Sequence, residues 1–135
     1  MYLEWDNNLN IGVIEIDKQH KELFSCLDKL LTAMKDKKEK DEIIKTLNFL
    51  EEYVCKHFKD EEEIQKKYNY PKYDTQHNQH EEFKKELQKL RQIFQTQGTS
   101  TLLALNIQKN MITWCKNHIM LLDKDLGEFL NKTTK

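Results

Sequence analysis

Apolar residues recur at alternating intervals of three and four along most of this 135-residue chain. One stripe runs Ile16, His20, Leu23, Leu27, Leu30, Met34, and a second runs Ile43, Leu47, Leu50, Val54, His57, Glu61, Ile64. A third runs Gln76, His80, Phe83, Leu87, Leu90, Phe94. The last begins Leu103, Ile107, Met111, Trp114, His118, then drifts to Leu122, Leu126 and Phe129. Such spacing keeps one face of each helix inward, the stripe of an antiparallel bundle. The stripes are separated by the charged run "KDKKEKD" (35–41), the proline turn "NYPKYD" (69–74) and the glycine turn "TQGTS" (96–100). These breaks predict helices over about 18–36, 41–67, 75–95 and 100–131. Asp17, Asp41, Asp74 or Thr75, and Thr99 or Ser100 are the candidate N-caps. Residues 1–16 are expected to form an extended arm, with Ile11, Val13, Ile14 and Ile16 packing on the bundle. The predicted fold is all-α: one domain, 1–135, an up-down-up-down four-helix bundle.

Each stripe is apolar except at one level. His20, His57 with Glu61, His80 with Gln76, and His118 are its polar members. Short turns make successive helices antiparallel, so heights can be counted from the turns. His20 stands 17 residues before Lys37 and His57 stands 17 after Lys40. Glu61 stands seven before Tyr68, and His80 six after Asp74. His80 stands 17 before Gln97 and His118 stands 18 after Ser100. At a rise of ~1.5 Å per residue, all these groups fall within about one turn of a common layer.

One histidine on an apolar stripe is more often a hydrogen-bonded core residue than a ligand. The conjunction differs, because four helices bring imidazoles to one height and at least one brings a carboxylate. A buried unpaired carboxylate is strongly unfavourable, and a pair of divalent metals resolves that cost. His57 and Glu61, at i and i+4, share a face. His118 and Asp123 are five apart, about 140° around an ideal helix. They share a site only from opposite flanks of the inward face or through a local π-bulge. Mixed imidazole and carboxylate donors suit iron, with zinc and manganese also compatible by donor type. Cys55 reads as a boundary residue, and Glu62 and Glu63 as a solvated face. Phe24, Phe58, Phe83 and Trp114 read as core, some of them bordering the polar layer.

Composition narrows the function classes. Three glycines, one proline and a third of the residues charged favour helix, and the net charge of −1 is spread along the chain. No basic face invites nucleic acid or anionic lipid. The N-terminal "MYLEWDNNLN" has no signal-peptide pattern, and no apolar run suits a membrane span. Cys26, Cys55 and Cys115 are odd in number and widely spaced, as expected of free thiols in a reducing, cytoplasmic setting.

The segments "WDNNLNIGVIEIDKQHKELF" (5–24), "HFKDEEE" (57–63), "YPKYDTQHNQHEEF" (70–83) and "WCKNHIMLLDKDLGEFL" (114–130) resemble the bacteriohemerythrins, in order and over nearly the whole chain. The resemblance implies a non-haem di-iron protein that binds O2 reversibly inside a four-helix bundle. It implies two iron ions bridged by Glu61, Asp123 and an oxo or hydroxo group. His20 and His57 would hold the iron with an open position, and the third-helix histidines with His118 the other. Phe24, Phe58, Trp114 and Met120 would line the oxygen pocket, Met120 standing where the family usually has leucine.

The third motif departs from the family's HxxxH. His80 stands three before Phe83, but four residues before it is Gln76, and His77 comes one position late. Three alternatives follow. His77 turns inward to replace the missing ligand, which the count of five histidines favours. Gln76 keeps the position, by its own oxygen or with a water. Or the site has lost its iron. The expected function is oxygen storage, delivery or sensing. The expected partner is O2 alone, bound by a monomer that needs no protein partner and has no fused sensory output domain. No side chain is placed as a general acid or base for a substrate, so no enzyme is expected. The alternative is a di-iron redox enzyme acting in iron oxidation or on peroxide or nitric oxide, favoured if the second iron has lost a histidine.

Overall fold

The computed structural model describes residues 5–133, and these form an antiparallel four-helix bundle. Helices α1 (Ile14–Lys35), α2 (Lys40–Lys67) and α3 (Tyr73–Gln97) are uninterrupted. The fourth helix, 101–133, is continuous but not uniform. Its α-helical parts Thr101–Asn106, Thr113–His118 and Lys124–Thr133 alternate with π-helical Ile107–Ile112 and Ile119–Asp123. α1 packs on α2, α2 on α3, and the fourth helix on both α1 and α3, which closes the ring.

The apolar stripes become the core. α3 buries Gln76, His80, Phe83, Leu87, Leu90 and Phe94, the expected stripe residue for residue. Leu27, Leu30, Leu47 and Leu50 are fully buried, each stabilising the fold by roughly 1.5–3 kcal/mol. On α2 the expected Ile64 sits at the edge of the core, and Gln65 takes the inward place. On the fourth helix, Trp114 and Phe129 are partly buried at the edge, while Cys115, Ile119, Asp123 and Leu130 point inward. A π-helical stretch holds an extra residue per turn, so each one rotates the inward face by one position. That rotation is the drift visible in the fourth stripe.

The turns use left-handed residues where the chain must reverse: Lys37 between α1 and α2, Asn69 between α2 and α3, and Gly98 before the fourth helix. Ser100 caps the fourth helix, accepting from the Leu103 amide at 3.0 Å. The other three helices have no side-chain N-cap.

The N-terminal arm is shorter than expected, although its residues 1–4 lie outside the described part. Asn7–Leu9 form a 3₁₀ turn, and α1 starts at Ile14, one turn before the predicted start. Asp17 does not cap α1. Its carboxylate accepts from the backbone of Ile11 at 2.7 Å and Gly12 at 3.3 Å, tying the arm to the first turn of the helix. Ile11 is buried as expected, while Ile14, now on the helix, is exposed. The arm lies against Gly127 of the fourth helix, where a Cβ would collide with the Ile11 carbonyl oxygen. Gly127→Ala is therefore expected to lift the arm and cost about 1–3 kcal/mol. The check is a lowered urea midpoint against the parent chain.

Candidate metal centre

Six polar side chains meet in the layer, each buried: His20 from α1, His57 and Glu61 from α2, His80 from α3, His118 and Asp123 from the fourth helix. Their arrangement has two ends. The rings of His20 and His57 are 4.8 Å apart at one end, and those of His80 and His118 are 5.1 Å apart at the other. The carboxylates lie between them, each turning one oxygen to each end. Glu61 Oε2 is 3.6 Å from His20 Nε2 and 3.3 Å from His57 Nε2, while Glu61 Oε1 is 3.5 Å from His80 Nε2. Asp123 Oδ2 is 3.1 Å from His20 Nε2, and Oδ1 is 3.3 Å from His118 Nε2. The donor atoms of His20, His57 and Glu61 lie within 4.8 Å of one another, and so do those of Glu61, His80 and His118.

The five-residue spacing of His118 and Asp123 is resolved by the π-helical stretch Ile119–Asp123, which puts both on the inward face. The second π-helical stretch, Ile107–Ile112, has no counterpart in the sequence reading.

Outside the layer, three of the four imidazoles are held by their other nitrogen. His57 Nδ1 is 2.7 Å from Gln19 Oε1, and His118 Nδ1 is 2.8 Å from Gln79 Oε1. His80 Nδ1 is 3.0 Å from Glu62 Oε2. An amide oxygen or carboxylate accepts, so each Nδ1 carries the proton and each Nε2 turns its lone pair inward. That is the tautomer a metal ligand needs. Two aromatic rings cover the His80–His118 end: Phe58 stacks on His80 at 3.9 Å and Trp114 on His118 at 4.7 Å.

These donors fit a metal better than they fit one another. Nε2 of His20, His80 and His118, both oxygens of Glu61 and Oδ2 of Asp123 are buried without a hydrogen-bond partner among the described residues. Burial alone would drive His20 down, but the carboxylates of Asp123 and Glu61 beside it raise it to about 9. His118 is raised as well, its burial outweighed by Asp123. His57 goes the other way, pushed down to about 4 by burial. Asp123 is held well below the usual carboxylate range despite burial, because His118 and His20 flank it.

Comparison with known proteins places most of the chain in a cation-binding domain. Residues 12–130 match the family model described as the hemerythrin HHE cation binding domain. The chain belongs to the hemerythrin family. The bacteriohemerythrin of Clostridium acetobutylicum is 26% identical over 126 residues, covering 90% of this chain and 95% of that protein. That of Stenotrophomonas maltophilia is 28% identical over 117 residues, covering 87% of this chain and 74% of that protein.

In this hemerythrin domain His77 is not brought to the cluster. Its side chain is 43% exposed, and Nδ1 lies 2.6 Å from Glu62 Oε1, with the Tyr73 ring stacked at 5.9 Å. Gln76 is buried in the layer instead, its amide donating to Asp123 Oδ1 at 2.9 Å. On a regular α3 the two residues stand either side of His80, and only Gln76 continues the inward stripe. Met120 is 42% exposed, and Ile119 is buried beside it. The π-helical stretch turns Ile119 in and Met120 out. Phe24 is buried but makes its ring contact with Trp5, at 5.1 Å.

The sequence reading missed the residues outside the layer. Glu62, read as part of a solvated face, serves both His80 and His77. Gln19 and Gln79 each precede a histidine in sequence yet hold the histidine of a neighbouring helix. The repeated Gln-His doublets at 19–20, 76–77 and 79–80 were the available signal.

Two outcomes follow. Glu62→Ala is expected to lower metal affinity by about 10–100-fold with the circular dichroism unchanged, as read by competition with a coloured chelator. His20, raised to about 9, holds a proton at pH 7 in the metal-free site, and His118 is shifted in the same direction. A nitrogen ligand must give up that proton. Metal loading at pH 7 is expected to release protons in a pH-stat, with affinity falling as the pH is lowered.

Proposed function

We propose that this domain binds dioxygen reversibly at two irons bridged by Glu61, Asp123 and an oxo or hydroxo group. The supporting observation is the split of both carboxylates, one oxygen of each to each histidine pair. His20 and His57 with Glu61 Oε2 and Asp123 Oδ2 would hold one iron. His80 and His118 with the opposite oxygens would hold the other. Mixed imidazole and carboxylate donation suits iron. When bound, the irons supply the electrons that dioxygen takes up and returns.

The chain supplies the setting. Gln19, Glu62 and Gln79 fix ring orientation and tautomer. Phe58, stacked on His80, and Phe83, edge-on to Phe58, keep bulk water from the layer. A dry pocket slows loss of a partly reduced ligand, which favours release over oxidation. On this reading the imidazoles and carboxylates of the layer serve as ligands, which leaves none of them as a general acid or base for a substrate.

A second reading is a redox enzyme acting on peroxide or nitric oxide or oxidising iron. Gln76 supports it, because an amide stands in the layer at the position where the family's HxxxH motif has an imidazole. Anaerobic reduction followed by air separates the two. Reversible carriage predicts a charge-transfer band that appears in air and disappears under argon over repeated cycles. Immediate conversion to the oxidised form without the band, or catalytic loss of added peroxide, would sink it.

A further inference from the structure

Two buried amides beside the centre lack the partners that buried amides require. Gln65 and Gln76 are both fully buried. Gln65 Nε2 and Oε1 and Gln76 Oε1 have no hydrogen-bond partner among the described residues. Buried polar atoms of this kind are normally satisfied, and a small protic or anionic molecule is the usual partner when the chain supplies none.

Their position says which metal such a molecule would meet. Gln65 follows Glu61 by one turn on α2, and Gln76 precedes His80 by one turn on α3. α2 and α3 are antiparallel neighbours, so both displacements run toward the α2–α3 turn and the two amides share one level. Gln76 is anchored to Asp123 Oδ1, the oxygen that also faces His118 Nε2 at 3.3 Å. Gln76 therefore walls the His80–His118 end, and Gln65 lies at its level on α2. At the His20–His57 end stands the amide of Gln19, which is committed to His57 and Asp60.

The charged donors are evenly divided, with two imidazoles and two carboxylate oxygens at each end. We propose that the second metal, held by His80 and His118, carries an exchangeable position of its own, walled by the amides of Gln76 and Gln65, for water or a small anion. The two ends then differ in ligand preference. At the His20–His57 end the Gln19 amide is already committed, and the other end offers amide donors and acceptors to a protic or anionic guest. This inference rests on the di-iron reading above.

The test counts ligands per iron. The full-length chain is loaded with ferrous iron without oxygen, its iron content is measured, and nitric oxide is titrated with infrared detection. Two irons and two nitric oxides per chain are expected, falling to one nitric oxide in Gln76→His with both irons kept. Azide added to the oxidised protein tests the amides: Gln65→Leu should weaken the second azide about tenfold. One nitric oxide per two irons in the parent chain overturns the proposal and leaves the di-iron reading standing. A rise from one to two in His77→Ala also overturns it, by making His77 a ligand. Azide affinity unchanged in Gln65→Leu overturns the role of that amide. Fewer than two irons per chain removes the di-iron reading and the proposal with it.

Discussion

Two carboxylates buried at the middle of an apolar bundle are the constraint around which this fold is arranged. Moving one such ion out of water costs several kcal/mol even after relaxation. Glu61 and Asp123 are both fully buried, on helices that face each other across the core. Four imidazoles, one from each helix, are what the chain sets against that cost. The level of the layer, the lengths of the turns and the register of every stripe must agree for those six groups to meet. A one-residue slip in any helix rotates its donor by about 100° and breaks the set.

The same constraint explains the amides and carboxylate outside the layer. An imidazole that can rotate or exchange its tautomer holds a metal poorly. Gln19, Glu62 and Gln79 remove that freedom at three of the four rings, each reaching across from a neighbouring helix. The helices are thus joined through their buried imidazoles as well as through Leu and Phe packing. Glu62 extends the connection outward, since it also binds His77, and Tyr73 donates to it at 3.2 Å.

The bundle was legible in the sequence because apolar periodicity carries it directly, and α3 follows its stripe without deviation. Five of the six buried donors were legible because each interrupts such a stripe, while Asp123 lies off the stripe and came from its spacing to His118 and the family resemblance. What was not legible depends on tertiary detail. The start of α1 shifted because Asp17 satisfies the arm's amides instead of a helix cap. Glu62 looked like surface charge because a run of acids is usually solvated, and only the approach of α3 reveals its task. The count of five histidines favours His77, whereas helix geometry favours Gln76 by its position on the stripe. The stretch Ile107–Ile112 left no signal, because the fourth stripe drifts only after His118.

The irregularity of the fourth helix has a kinetic side. The six donors are sealed from solvent, so a metal reaches them only when a helix parts from its neighbours. π-helical turns are rare interruptions of the regular backbone hydrogen-bond ladder, and this helix carries two of them, one ending at Asp123. Local opening follows the weakest cooperative unit of a fold. The same stretch that sets Asp123 beside His118 thus makes the fourth helix the hinged door of the empty bundle. A metal held by Asp123 would bolt that door from inside.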